Sequence, residues 1–133
     1  MMKKDDTIYL RHILDAIAKI EKYTVGIDYE IFIEDTQIQD SIIRQLEIIG
    51  EATKRFSDTF RDKYPHISWK KIAGMRDKLI HDYLGVDTDA IWDTVKDNIP
   101  DLREKVALII EKIETNAGSP LPQTRMRTLL SVR

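Results

Sequence analysis

Arg76, His81 and Tyr83 follow one another at short spacing in the stretch Met75-Arg76-Asp77-Lys78-Leu79-Ile80-His81-Asp82-Tyr83. A guanidinium keeps its charge at any physiological pH. It can hold a phosphate through paired hydrogen bonds and stabilise the extra charge of a phosphoryl transition state. A histidine exchanges a proton near neutrality. The two side chains together suffice for RNA cleavage without a metal: the 2′-hydroxyl attacks the adjacent phosphate, leaving a 2′,3′-cyclic phosphate and a 5′-hydroxyl. The alternative is structural. The arginine would snorkel to the surface or pair within the fold, and the tyrosine would fill the core with its hydroxyl satisfied.

The elements around these residues read as one helix. Ser68 is a suitable N-cap, Ile67 and Ile72 have the spacing of a hydrophobic staple, and Gly85 can close the helix at its C′ position. Ile72, Arg76, Leu79, Ile80 and Tyr83 then share a face, so Arg76 falls inside an apolar stripe. An arginine there needs an anion, a hydrogen-bonding partner or an open cleft. On an ideal helix Arg76 and His81 point about 140° apart. Either the helix loosens near His81, or a second copy across a two-fold axis completes the site, which implies an isologous homodimer. Upstream, Lys54, Arg55, Arg61, Lys63, Lys70 and Lys71 face only Asp58 and Asp62. Lys70 and Lys71, with Lys78 in the motif itself, are the candidate contacts for an RNA backbone; a solvated charged loop is the alternative.

Composition sets the limits. Of 133 residues, 42% are hydrophobic and 33% charged, with a net charge of −2, which suits one soluble, helix-rich domain. The absence of cysteine excludes a disulfide scaffold, a thiol nucleophile and a cysteine-ligated metal, and fits a cytoplasmic location. The charged start Met1-Met2-Lys3-Lys4-Asp5-Asp6 reads against a signal peptide, and no apolar run reaches membrane-spanning length. The three histidines are scattered without metal-ligand spacing, and there is neither a phosphate-cradling glycine loop nor a nucleophile elbow. No metal and no cofactor are expected.

Along the chain, Leu10, Ile13, Leu14, Ile17 and Ile20 mark a first helix over about 5–22, with His12 off the stripe and Gly26 as the stop. Tyr29 to Asp35 alternates like a strand, but its isolation among helical segments favours a short helix. Asp35 or Thr36 caps a long helix whose stripe runs Ile38, Ile42, Gln45, Ile49, Ala52, Phe56. Gln45 is a polar interruption suited to a core hydrogen bond with a neighbouring helix, with Arg76 a candidate neighbour, and Gly50 marks close helix packing. A short helix over 57–64 ends at Pro65, with His66 in the loop. Asp87 or Thr88 caps a segment that buries Ile91, Trp92 and Val95, and Pro100 starts the last helix, striped by Leu102, Val106, Ile109 and Ile113. Residues 117–133, with Gly118, Pro120, Pro122 and three arginines but no acid, read as a basic, flexible tail beyond a domain over 1–116. No stretch is a convincing strand. The sum is an all-α, up-and-down bundle of about five helices.

The Arg76–His81–Tyr83 motif resembles that of the HepT-like toxins, a family of HEPN-domain proteins. The likeness extends over nearly the whole chain to about Ile113, through Leu46-Glu47-Ile48-Ile49-Gly50-Glu51-Ala52, Tyr64-Pro65, Ile67, Trp69 to Leu84 and Gly85-Val86-Asp87. Gln45 stands where the family often has asparagine, and Asp82 at a variable position. The resemblance implies an antiparallel HEPN bundle that dimerises, with the motifs lining a shared cleft. It implies a prokaryotic toxin of a type VII-like toxin–antitoxin pair, a metal-independent endoribonuclease with Arg76 and His81 catalytic and Gln45 and Glu47 in support. Its partner would be an MntA-like nucleotidyltransferase antitoxin that transfers AMP to Tyr83. The alternative is a non-catalytic HEPN module that binds nucleotide or RNA and docks such a nucleotidyltransferase.

Overall fold

The computed structural model describes residues 4–81 and 85–116, and of residues 4, 5, 80, 81 and 116 the backbone only. Three long helices carry the core: α1 (Lys4–Thr24), α3 (Thr36–Lys54) and α8 (Ile99–Asn116). Leu10, Ile13, Ile17 and Ile20 of α1 are completely buried against Ile42 and Ile49 of α3 and Val106 of α8, as the helical spacing of these residues requires. The architecture is an all-α helical bundle.

Short helices are set between the long ones by polar caps. Asp28 accepts the Ile31 N–H and starts α2 (Tyr29–Glu34), so the alternating segment is a helix rather than a strand. Asp35 accepts from Ile38 at the head of α3, and Ser57 from Phe60 at the head of α4 (Asp58–Lys63). Gly26, at φ 71°, lies just past α1 in the left-handed region that glycine adopts without strain. Tyr29 donates to Asp89 and ties α2 to α7 (Thr88–Asp93), which Asp87 caps at Ala90.

Ser57 has a second role that its sequence context does not signal. Its backbone N–H and its hydroxyl both donate to the carboxylate of Asp6, at 3.0 Å each, and Asp6 is only 1% exposed. This pins the first turn of α1 to the α3–α4 junction. Removing a buried carboxylate that accepts two such bonds strands their donors. Asp6→Ala is therefore expected to lower the stability measured by urea unfolding by about 2 kcal/mol. An unchanged unfolding midpoint would show that the pin contributes nothing.

The stretch after α4 departs from the single long helix expected there. α5 (Trp69–Ala73) and α6 (Met75–Leu79) are separate short helices with a turn at Gly74 between them. Ser68 precedes α5, but unlike Asp28, Asp35, Ser57 and Asp87 at the heads of their helices its side chain makes no capping hydrogen bond. What fixes α5 is an aromatic cluster. Trp69 packs edge-on to Phe56 at 5.0 Å between ring centroids and tilted on Phe60 at 5.6 Å. The Trp69 indole N–H also donates to the Tyr64 carbonyl at 3.1 Å. Helix α6 then stops at Leu79. The chain turns into two-residue strands, β1 (Ile80–His81) and β2 (Gly85–Val86), paired antiparallel with His81 opposite Gly85. Gly85, expected as a helix C′ residue, instead uses its φ of +83° inside β2, and Leu79 accepts the Asp87 N–H at 2.9 Å just outside the pair. Alternation is undetectable in strands this short, which is why the sequence gives no strand signal.

Pro100 also stands elsewhere than expected. It is the second residue of α8, and helical backbone continues without a gap from Thr88 through a π-helical turn, Thr94–Asn98, into α8. Proline has no N–H to give and its ring collides with a carbonyl four residues back. The wider turn, in which Ile99 N–H reaches back to Thr94 O, lets the helix carry it.

Candidate functional site

Arg76 is the second residue of α6. The aromatic cluster and the close approach of α5 to α3 place it. A Cβ on Gly50 would lie 3.3 Å from the Ala73 carbonyl oxygen, so Gly50 lets the end of α5 settle on α3, and Arg76 follows three residues later. The break at Gly74 takes Arg76 out of the buried stripe that an unbroken helix would give it. Leu79 is buried, while the Arg76 side chain is 46% exposed.

The guanidinium lies beside Glu47 of α3. Its Nε donates to Glu47 Oε2 at 2.8 Å and its Nη1 to Asp77 Oδ1 at 3.5 Å. Arg44 stands 3.9 Å from the other Glu47 oxygen. The hydrogen bond to Glu47 raises the Arg76 pKa further above its ordinary value, so the group is a permanent cation. These residues line an open groove of about 400 Å³ between α3 and α6, which also takes in Glu51 and Lys54. The arrangement is an arginine held at a solvent-accessible edge by a carboxylate it can exchange for a phosphate, since ion pairs this exposed are weak.

Of the other residues nominated from the sequence, Glu47 is in direct contact with Arg76. Gln45 is not its partner: it is buried on α3, and among the described residues its Oε1 has no hydrogen-bond partner. Lys70 is exposed on α5. Lys71 and Lys78 line a different groove, on the side of α5 and α6 that faces the π turn and α8. The single chain therefore does not gather the lysines around Arg76. The backbone of His81 sits in β1, past the end of α6, so the helix that would aim it away from Arg76 ends before reaching it. The His81 side chain, Tyr83 and the segment 117–133 lie outside the described residues. His12, off the apolar stripe of α1, and His66, in the loop after Pro65, are both exposed, as expected. Asp77 and Arg44 are parts of the groove that the sequence did not single out; each is a charged residue among many, and only the packing of α6 on α3 selects them.

Among the described residues no helix is long and apolar enough to cross a membrane. A family model described as "Ribonuclease HepT-like" matches residues 13–109. A "Putative RNase" of Methanocaldococcus jannaschii is 45% identical over 114 residues, covering 86% of this chain and 98% of its own length. A "Probable ribonuclease HepT" of Thermococcus cleftensis is 47% identical over 104 residues, covering 78% of this chain and 94% of its own. A second M. jannaschii protein, "Gamma-glutamylcyclotransferase and putative RNase", is 47% identical over 118 residues; the match covers 89% of this chain but only 53% of that longer protein. No solved structure matches. The family model spans the helices that build the Arg76 groove, and relatives of nearly the same length match almost end to end, so the chain belongs to the HepT-like ribonuclease family.

Proposed function

We propose that this protein is a metal-independent endoribonuclease and the toxin of a toxin–antitoxin pair. The observation that carries this reading is a permanent, solvent-accessible arginine held at a groove edge in a chain whose relatives are named as ribonucleases. RNA enters with a phosphate that displaces Glu47 from Arg76. His81 takes the proton of the 2′-hydroxyl or orients it. The 2′-oxygen bonds to phosphorus, the bond from phosphorus to the 5′-oxygen breaks, and that oxygen leaves as a 5′-hydroxyl after taking up a proton. Two copies related by a two-fold axis bring their motifs to one cleft. The assay is incubation of the purified chain with single-stranded RNA in EDTA. Fragments ending in 2′,3′-cyclic phosphate support the reading, whereas intact RNA, or cleavage that stops on chelation, contradicts it.

Control falls to Tyr83, two residues beyond His81. AMP joined to the tyrosine hydroxyl by an MntA-like nucleotidyltransferase, with pyrophosphate released from ATP, adds bulk and negative charge next to the catalytic motif and blocks RNA both sterically and electrostatically. With the partner, ATP and Mg²⁺, the intact mass is expected to rise by one or more AMP units mapped to Tyr83, and cleavage to fall in parallel. A Tyr83→Phe chain that is modified to the same extent would place the acceptor elsewhere.

A second reading has one observation in its favour. Arg76 is already paired with Glu47 and Asp77, which suits a module that binds RNA or nucleotide and docks the nucleotidyltransferase without cutting. It predicts tight complex formation and no cleavage in the same assay.

A further inference from the structure

A second groove lies on the opposite side of α6 from Glu47. It measures about 330 Å³, the lower end of the range for small-ligand sites. Its floor is apolar: Ile72 and Met75 are half-buried there, and Leu79 and Leu102 are buried. Lys71 and Lys78 stand at its rim, exposed, and among the described residues neither makes an ion pair. A third lysine at the rim, Lys105, is paired at 2.9 Å with Asp101, which also lines the groove. The wall facing α6 is the π-helical turn, which contributes Thr94 and the exposed amide of Asn98. π turns inside helices recur at functional sites because they displace side chains from the regular helical track.

An apolar floor under two uncommitted cations and one amide suits a flat, weakly polar body carrying a phosphate. We propose that this groove is a nucleotide subsite for the RNA substrate: a base lies on Met75 and Leu79, its edge reaches Asn98, and Lys71 and Lys78 hold its phosphate. The inference rests on the ribonuclease reading for the identity of the strand. The Arg76 groove is lined by Glu47, Glu51 and Asp77 and offers no comparable apolar floor. RNA crossing α6 therefore has one phosphate at Arg76 and a neighbouring nucleotide seated here, which separates the residues that grip the reacting phosphate from those that fix the register of the strand.

The test is a titration of the full chain with adenosine 5′-monophosphate, with adenosine and with inorganic phosphate. Amide chemical shifts map the site and calorimetry gives the affinity. The expected result is saturable shifts at Lys71, Met75, Lys78 and Asn98. The mononucleotide should bind at least about tenfold more tightly than phosphate or adenosine alone, because both halves of the groove are used. Lys71→Ala and Lys78→Ala should each weaken it by about tenfold, the usual size of one lost hydrogen bond to a charged group. Both lysines are exposed, so the variants keep the fold. Absence of saturable shifts, shifts confined to the Arg76 groove, affinity indifferent to the lysine variants, or phosphate binding as tightly as the mononucleotide would each overturn the proposal. None of these readouts needs cleavage: a chain that seats the mononucleotide here but never cuts RNA refutes the nuclease reading alone, and a chain that cuts RNA without these shifts refutes the subsite alone.

Discussion

Arg76→Ala and His81→Ala are each expected to slow RNA cleavage by about 10³-fold, while the helical circular dichroism and the unfolding midpoint of Arg76→Ala stay close to those of the parent chain. The size follows from the roles proposed. Removing a group that stabilises developing phosphoryl charge costs about 10² to 10³ in rate, and removing a general acid or base about 10² to 10⁴. The small effect on stability follows from the geometry. The Arg76–Glu47 pair is at the surface, where such pairs contribute at most about 1 kcal/mol. Arg76→Lys is a sharper probe than alanine. It keeps the charge and loses the fork that reaches Glu47 through Nε, so a phosphate held by two hydrogen bonds loses most of its grip, and activity should stay well below the parent. Mixing the two inactive chains, Arg76→Ala and His81→Ala, addresses the shared cleft. If each site takes its arginine from one copy and its histidine from the other, exchange of subunits restores part of the activity. If both come from one chain, mixing restores none. Full cleavage by either single variant would remove that residue from the mechanism.

The parts of the molecule that could be read in advance are those governed by short-range rules. The stripes of α1, α3 and α8 repeat at helical spacing over many turns, and each buries most of the residues it marks, with Leu14, Ile38 and Ile113 partly buried at its edges. The carboxylates at positions 35 and 87 cap the helices they precede, because a side-chain acceptor three residues before an N–H needs nothing from the rest of the fold. The candidate site is harder, because long-range packing decides it. Residues 68–80 carry a helical pattern throughout, yet α5 is held by the aromatic cluster and α6 restarts only after a turn at Gly74. That moves Arg76 from an apolar face to a groove edge. Its contact with Glu47 joins residues 29 apart in sequence, and no local pattern reports such a pair. Periodicity likewise separates Arg76 from Lys71 and Lys78 only once the neighbours of each face, α3 on one side and α8 on the other, are known.

Gly50 links the bundle to the site, and Gly50→Leu is expected to lower stability by about 3 kcal/mol and to impair cleavage as well. The position is helical and has an ordinary backbone, so space alone constrains it. A Cβ there would sit 3.3 Å from the Ala73 carbonyl oxygen and 3.5 Å from that of Ile72. Both are backbone atoms of α5 and cannot rotate away. Gly50→Ala needs a shift of a few tenths of an ångström and gains about 1 kcal/mol of helix propensity, so it should be near neutral in stability with most activity kept. The branched side chain of leucine has no such option. It drives α5 off α3, loosens Trp69 in the aromatic cluster and carries Arg76 away from Glu47. Urea unfolding gives the stability difference. Cleavage measured at a temperature where both variants are more than nine-tenths folded isolates the geometric effect from simple loss of folded protein. The alanine variant active and the leucine variant depleted in rate, even when folded, is the result that ties the α3–α5 contact to the position of Arg76. A leucine variant as stable and as active as the parent would show that the contact is loose enough to yield, and that Arg76 is placed by the residues after Gly74 instead.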